Sequence, residues 1–505
     1  MSGARVEKWV LPAIALATAA LHLATANIYG IFRDEYYYIA CANRLAWGYV
    51  DHPPLSIAVL TLWQAIFGDG QFALRVVPAL VGAAAVYLGG AIAREMRGGT
   101  FAQAVAALAF LVAPVFRGVT SYYSMNVFDH FFWALAIWVL VRIINSGDGG
   151  WWLAFGVVCG FGLLNKISVL FLGFGLVVGM ALTPERKHFK DWRLYAGGAI
   201  ALAIFLPHLV WEMRNDWAMV EFTRNAALYK NAPIGVVGFF LSQLLMMNPL
   251  GAPLWIAGTV AGLLSPTLRP YRPLAILFVA VFLLLSLSYG KDYYLAPAFF
   301  AVMPLAAVWV EHVSETQWRW LRKAVPAVQV GSFLILAPLA LPMLPIETFL
   351  KYQAFIGIKP PAAERGLNDE VPQHFSDRFG WEEMAASVQA AVEKLTPEQR
   401  AKAVILAGNY GEAYALEYYA AKYGLPPSFT QHNNGYLWGP PPGNGEAVIV
   451  VKAAGPEELA QLFGKVEEIG FHRTPVARGS EREFPIYLCT EPKTTWAAAW
   501  KKMFI

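Results

Sequence analysis

The chain has 505 residues, of which 57% are hydrophobic and 15% charged. An average soluble domain carries roughly 25% charged residues, so an ordinary soluble protein is excluded. With 3 Cys, 43 Gly and 32 Pro and no repeat, collagen, disorder and a disulfide scaffold are excluded too, and the dispersed net charge of +4 implies no nucleic acid. What remains is an integral membrane protein with a soluble appendage.

A membrane span needs about 20 mostly apolar residues, and basic loops mark the cytoplasmic side. The first such run is Trp9–Ile28, after Arg5 and Lys8; Ala24-Thr25-Ala26 has the look of a signal cleavage site, but the run is long and many more follow. Further runs are Phe72–Ala93, Phe101–Val115, Val127–Ile144, Trp151–Leu164, Ile167–Leu182 and Leu194–Trp211. Ile234–Leu264 is about twice the needed length and is broken at Asn248-Pro249, so part of it is expected along the outer interface. Leu274–Ser288, Leu295–Val310 and Ala324–Leu344 complete the series. Starting inside at Met1 puts Arg94, Arg97, Arg142 and the Arg186–Arg193 cluster inside in turn. Counting back from an exiting final span does the same for Arg319, Arg322, Lys323, Arg269 and Arg272. The two counts agree only if Ile234–Leu264 crosses once, which gives about eleven spans with Ile505 outside.

From about Phe349 charges and Pro replace the apolar runs. Ala403–Leu406 and Ala447–Val451 read as short buried strands, and Glu412–Tyr423 and Glu457–Glu468 as amphipathic helices. The boundary therefore separates a membrane domain, 1–348, from a soluble outer α/β domain, 349–505. The three cysteines, Cys41, Cys159 and Cys489, leave a Cys41–Cys489 disulfide open.

The most informative stretch is the outer loop 29–71. It holds Arg33-Asp34-Glu35-Tyr36-Tyr37-Tyr38 and Trp47-Gly48-Tyr49-Val50-Asp51-His52-Pro53-Pro54. Acidic, aromatic and imidazole groups at a membrane rim suit a polar head group presented by a lipid. The competing reading is a helix cap at Asp34 and an interfacial belt of Tyr and Trp. Ionisable residues at membrane depth are expensive and usually mark a substrate path. Arg75 opens the second run, Arg117 follows the third and Asp129 lies just inside the fourth. Asn165-Lys166 interrupts the next stretch, Arg224 follows Trp211, and Lys291-Asp292-Tyr293-Tyr294 forms a short outer loop. Lys166 as a snorkelling turn residue stays open.

In this topology Lys166, Lys291, Arg75 and Arg224 fall on the side of Asp34. A carboxylate near several cations is what sugar transfer from a lipid phosphate requires. The acceptor hydroxyl must lose a proton to a general base, and the leaving phosphate needs charge stabilisation rather than a proton donor. A glycosidase needs two opposed carboxyl groups, whereas Asp34 and Glu35 on a helix point about 100° apart.

These residues resemble the protein-mannosyltransferase-like superfamily, in particular bacterial enzymes of the aminoarabinose transferase and rhizobial galacturonosyltransferase type. The resemblance rests on Asp34-Glu35 after the first run, His52-Pro53-Pro54-Leu55, and Lys291-Asp292-Tyr293-Tyr294-Leu295-Ala296-Pro297-Ala298. Asn409-Tyr410-Gly411-Glu412-Ala413, Gly424-Leu425-Pro426-Pro427 and the run from Asn434 to Pro440 are similar to members of the same group. It implies a multi-span α-helical GT-C membrane fold in the bacterial cytoplasmic membrane. It also implies inverting transfer of a sugar from a polyprenyl-phosphate donor to an envelope glycolipid, glycan or protein. The family's catalytic carboxylate falls on Asp34, beside Glu35, and its second acidic position on Asn126 or Asp129. Substrate or phosphate contacts fall to Tyr37, His52, Arg75, Lys166, Arg224, Lys291 and Tyr293. The aminoarabinose enzymes carry an acidic-Lys-Pro-Pro motif, whose Lys helps hold phosphate, where this chain has Asp51-His52-Pro53-Pro54; a contact from His52 would depend on pH. Those enzymes also hold zinc with a Glu at the first motif position and a later His. Asp51 is the candidate ligand for a divalent metal here, but His208 falls inside the seventh run and no metal site is assigned.

Two other classes share many of these features. A lipid-linked-sugar flippase or transporter would have the spans and the buried charges but no need of Asp34. A membrane scaffold whose outer domain binds glycan or protein would not need the outer-face Lys and Arg.

Overall fold

The computed structural model describes residues 7–230, 234–288, 290–357 and 371–502. The expected positions of Met1 and Ile505 lie outside those residues. The chain divides into two compact units, one of residues 1–28 and 52–355, the other of residues 29–51 and 356–505.

The first unit is helical. Five helices are long and apolar enough to cross a membrane: Gln71–Glu95, Met125–Ser146, Trp192–Arg214, Pro266–Leu287 and Leu321–Ala340. Four bent helix pairs raise the number to nine if each is one span, and Val10–Ala24, Leu55–Phe67 and Trp151–Asn165 are shorter apolar helices. Among the described residues length and composition thus give five to nine spans, and the expected total of about eleven requires some of the shorter helices to cross as well. Gln71–Glu95 and Met125–Ser146 are 67% buried over their apolar windows, against 22% for Trp192–Arg214 and Leu321–Ala340. The first two therefore form the centre of the bundle and the last two its apolar periphery.

Sequence accounts for the bends. The expected break at Asn248-Pro249 turns the chain by 102°, with Asn248 at φ 79° and its side chain accepting from the Leu250 amide at 3.2 Å. Pro114 sits at a 63° bend, because proline removes the donor that would continue the helix. Elsewhere glycine permits contact between backbones. A β-carbon on Gly156 would lie 2.1 Å from the Gly197 carbonyl oxygen, so the helices Trp151–Asn165 and Trp192–Arg214 meet where neither has a side chain.

In the second unit five strands form one sheet in the order β2-β1-β3-β5-β4: β1 Ala403–Ala407, β2 Ser428–Phe429, β3 Ala447–Val451, β4 Phe463–Arg473 and β5 Glu483–Pro492. β1 is parallel to β2 and β3, with Ile405 opposite Ile449, and β5 is antiparallel to β3 and β4. All residues of β1 and β3 are buried, as expected of short apolar runs covered on both faces.

Two expectations need correction. The segment 29–71 is no open loop: it carries the helices Arg33–Ala42 and Leu55–Phe67, and residues 29–51 belong to the unit that contains the sheet. Glu457–Glu468 is not one helix, since the helix Pro456–Leu462 gives way to β4. Leu459, Leu462, Val466 and Ile469 have helical spacing, but β4 pairs along its length with β5, a partner invisible to local pattern.

Candidate active site

In the sheet-containing unit Asp34 stands in the first turn of the helix Arg33–Ala42. Its Oδ1 accepts a hydrogen bond of 2.6 Å from the hydroxyl of Tyr410. Burial, and then the Asp34 charge, push the Tyr410 hydroxyl well above its ordinary pKa, so it stays protonated and donates. The neighbouring Glu35 is differently engaged. It is buried, and its Oε2 accepts from the Phe32 amide at 2.7 Å, closing the start of its own helix. The two adjacent carboxylates thus diverge as helical geometry requires, and Asp34 alone of the pair is half-exposed.

Tyr410 is aimed by its own helix start. The Asn409 side chain accepts from the amides of Gly411 at 2.8 Å and Glu412 at 3.3 Å, while Glu412 reaches back to the Asn409 amide at 3.1 Å. This reciprocal cap fixes the first turn of Tyr410–Tyr423. The Arg33 guanidinium lies 4.6 Å from the centre of the Tyr410 ring. A β-carbon on Gly411 would come within 2.6 Å of Arg33 Nε, so only glycine leaves the guanidinium that place. Burial works against the Arg33 charge, but Tyr410, Asp377, Glu481 and Asp34 outweigh it and hold the group above its ordinary pKa.

Further in, Lys452 Nζ sits 3.1 Å from Glu412 and 3.0 Å from Glu481, both buried. Burial and the nearby Glu481 raise Glu412 to about 8, and burial raises Asp377 to about 6 against Arg33 and Arg478. Tyr37 is fully buried, donating to Asp51 Oδ1 at 2.8 Å and to Asn434 Oδ1 at 3.2 Å; Asn434 also accepts from the Val50 amide at 2.7 Å. Tyr37 and Asp51 therefore tie the Asp51 end of this segment to Asn434. Among the described residues no three His, Cys, Asp or Glu side chains converge as a metal site would require, so the residues around Asp51 do not fit a metal centre. Cys41 and Cys489 are buried free thiols and Cys159 is also free, which settles the open disulfide.

In the helical unit a second group forms around Lys166, at the end of Trp151–Asn165. Its ammonium donates to Asn126 Oδ1 at 2.8 Å and lies 3.4 Å from Asp129 Oδ2. Ser168 Oγ donates to the other oxygen of Asp129 at 2.5 Å. Asn126 and Asp129 thus both contact the same lysine. Lys166 stands 4.8 Å from the ring centre of Tyr294 and 5.8 Å from that of Tyr293, over which Lys291 also sits at 5.9 Å. Aromatic faces stabilise cations that have lost part of their water.

The other candidates have contacts of their own. Buried Arg75 donates to the Ala26 carbonyl, and His52 is buried with Nδ1 3.1 Å from the Pro53 carbonyl. Arg117 meets His22 Nε2 at 2.7 Å and the Phe110 carbonyl at 3.2 Å. His208 pairs with Glu212 at 3.9 Å within one helix. Arg224 is exposed on the helix Ala218–Asn225. The residue missed from sequence is Tyr410; its signal was Asn409-Tyr410-Gly411-Glu412, in which Asn and Glu three apart mark a capped helix start.

Residues 51–211 match the family model for dolichyl-phosphate-mannose-protein mannosyltransferase. An undecaprenyl phosphate-α-4-amino-4-deoxy-L-arabinose arabinosyl transferase of Pseudomonas fluorescens is 24% identical over 239 residues, covering 43% of this chain and 41% of its own length. A lipopolysaccharide core galacturonosyltransferase of Rhizobium johnstonii is 25% identical over 363 residues, 65% of this chain and 70% of its own. The chain thus spans less than half of the first relative and about two thirds of the second. In fold, the ArnT protein of Cupriavidus metallidurans, solved bound to undecaprenyl phosphate, aligns over 95% of this chain and 98% of its own, at TM-score 0.61 and 16% identity. With its apolar helices and its small sheet unit the chain has the GT-C membrane fold, and in sequence it is similar to glycosyltransferases of that fold.

Proposed function

We propose that this protein transfers a sugar from a polyprenyl-phosphate donor to a hydroxyl or phosphate of a cell-envelope glycolipid, glycan or protein. The bacterial inner membrane is its place of action, with transfer at the outer face and inversion at the sugar carbon. The observation that carries this reading is the lysine pair at the edge of the apolar helices. Lys166 is largely buried beside Asp129 and lies over the rings of Tyr293 and Tyr294, and Lys291 shares with it the ring of Tyr293. Two cations over one aromatic ring, one of them largely buried, repel each other, and an anion that visits both relieves the cost. A lipid phosphate is such an anion, and at a leaving group the same cations stabilise the charge that develops.

Asp34 supports the other half of the chemistry. A half-exposed carboxylate held at a helix start is suited to take the proton of an attacking hydroxyl. The names of the relatives, an undecaprenyl phosphate-aminoarabinose arabinosyl transferase and a lipopolysaccharide core galacturonosyltransferase, support the same reaction class. Full-length protein in lipid nanodiscs should release undecaprenyl phosphate from at least one undecaprenyl-phosphate sugar. The donors to offer are those carrying 4-amino-4-deoxyarabinose, galacturonic acid or mannose, each with a bacterial envelope-lipid extract as acceptor. Movement of donor across a vesicle bilayer without any transfer would sink the reading and favour the transporter.

A further inference from the structure

Asp34 and Tyr410 come from the two chain segments of the sheet-containing unit, and their contact is built rather than incidental. Tyr410 is 8% exposed, and a buried hydroxyl needs a partner. Three features fix which partner it finds. The Asn409–Glu412 cap sets the first turn of its helix, Arg33 covers one face of its ring, and His432 stacks on the ring at 5.2 Å with planes 27° apart. Gly411 leaves the room that Arg33 occupies. The ring therefore has little freedom, and its hydroxyl falls on Asp34 Oδ1. Among the described residues Oδ2 accepts no hydrogen bond.

We propose that Tyr410 is a positioning residue for the transfer reaction, fixing Asp34 by Oδ1 so that Oδ2 faces the acceptor hydroxyl. This rests on Asp34 being the general base. In the step itself the acceptor proton passes to Oδ2 as the acceptor oxygen bonds to the sugar carbon. The bond from that carbon to the phosphate oxygen breaks, and its electron pair stays with the polyprenyl phosphate. A carboxylate free to rotate spends part of its time out of line, and small misplacements of a reacting group are costly in rate. The sheet-containing unit would then contribute to catalysis through Tyr410, rather than only bind an acceptor.

The alternative is that Tyr410 merely ties the helix Arg33–Ala42 to the helix Tyr410–Tyr423. Tyr36 offers the control, because its hydroxyl meets that of Tyr419 at 3.2 Å and joins the same two helices without touching Asp34. The experiment uses full-length protein in nanodiscs and the undecaprenyl-phosphate sugar that the wild type consumes. Tyr410→Phe keeps the ring, and should lower kcat by roughly 10–100-fold with the donor KM within twofold. Tyr36→Phe should keep kcat within about twofold, the spread of a neutral change. On the residual rate of Asp34→Asn, adding Tyr410→Phe should cost nothing more. A wild-type kcat for Tyr410→Phe beside an inactive Asp34→Asn overturns the positioning role alone. So does an equal loss in Tyr36→Phe, or a full further loss on the Asp34→Asn background. An active Asp34→Asn overturns the base assignment and the positioning role with it.

Discussion

Asp34 and Tyr410 stand 376 residues apart in the chain and share a hydrogen bond of 2.6 Å. The adjacent Glu35 instead spends its carboxylate on the amide of Phe32. The Asp-Glu pair that looks symmetrical in sequence therefore divides into one group available for chemistry and one that starts a helix.

The first prediction follows from that division. Asp34→Asn keeps size and hydrogen-bonding capacity but loses basicity, so transfer should fall by about 10²–10⁴-fold while expression and lipid binding persist. Glu35→Gln still presents a carbonyl oxygen to Phe32, and should retain activity with at most a small loss of thermal stability. Initial rates and melting curves on the two variants check this; an inactive Glu35→Gln with an active Asp34→Asn reverses the roles.

The lysines should separate by burial. Lys166 is the partner of Asp129, with side chains 10% and 2% exposed. Lys166→Met leaves that carboxylate buried without its cation, and breaking such a pair costs about 3–5 kcal/mol, so the yield of folded protein should drop. Lys291→Ala carries no such penalty and should raise the donor KM while yield is kept. Arg224→Ala, at an exposed helix position, should alter neither by more than about twofold. Detergent-extracted yield and donor titrations distinguish the three.

A pH dependence is built into the sheet-containing unit. Glu412 titrates at about 8 when folded, against 4.5 when free, because burial and then Glu481 disfavour its charge. Its contribution to stability is therefore complete below about 4.5 and is lost as pH rises toward about 8. Asp377, raised to about 6 by burial, acts in the same direction over a lower range. Glu481, whose carboxylate is held below the ordinary range by Lys452 and Arg33 despite burial, opposes them at acid pH. The melting temperature should fall between pH 5 and 8.5, and Glu412→Gln should flatten that fall. A wild-type melting temperature that rises over this interval contradicts the assignment.

Gly411→Ala tests how tightly Arg33 is fitted. The added methyl would meet Arg33 Nε at 2.6 Å and Cγ at 2.7 Å, neither of them at the free end of the side chain. Overpacking of this kind typically costs about 1–3 kcal/mol. The variant should melt earlier than the wild type and transfer more slowly, since Arg33 covers the ring of Tyr410. Equal melting and equal rates would mean that the guanidinium moves aside without consequence.

Several features were legible in the amino-acid sequence because their causes are local. Apolar runs of span length, Pro at the bends and the all-apolar strands Ala403–Ala407 and Ala447–Val451 each carry their reason within a few residues. The divergence of Asp34 and Glu35 follows from helical geometry alone. The tertiary structure decided what depends on distant partners. β4 is a strand because β5 pairs with it, although its own spacing suits a helix. Residues 29–51, written between membrane helices, fold with residues beyond 355 because Tyr37, Val50 and Asn434 satisfy one another there. Lys166 became more than a turn residue once Asn126 and Asp129 were found on one ammonium. The local sign at Tyr410 was only that of a capped helix start, since a hydroxyl declares its role through the group it reaches, and that group lies 376 residues away.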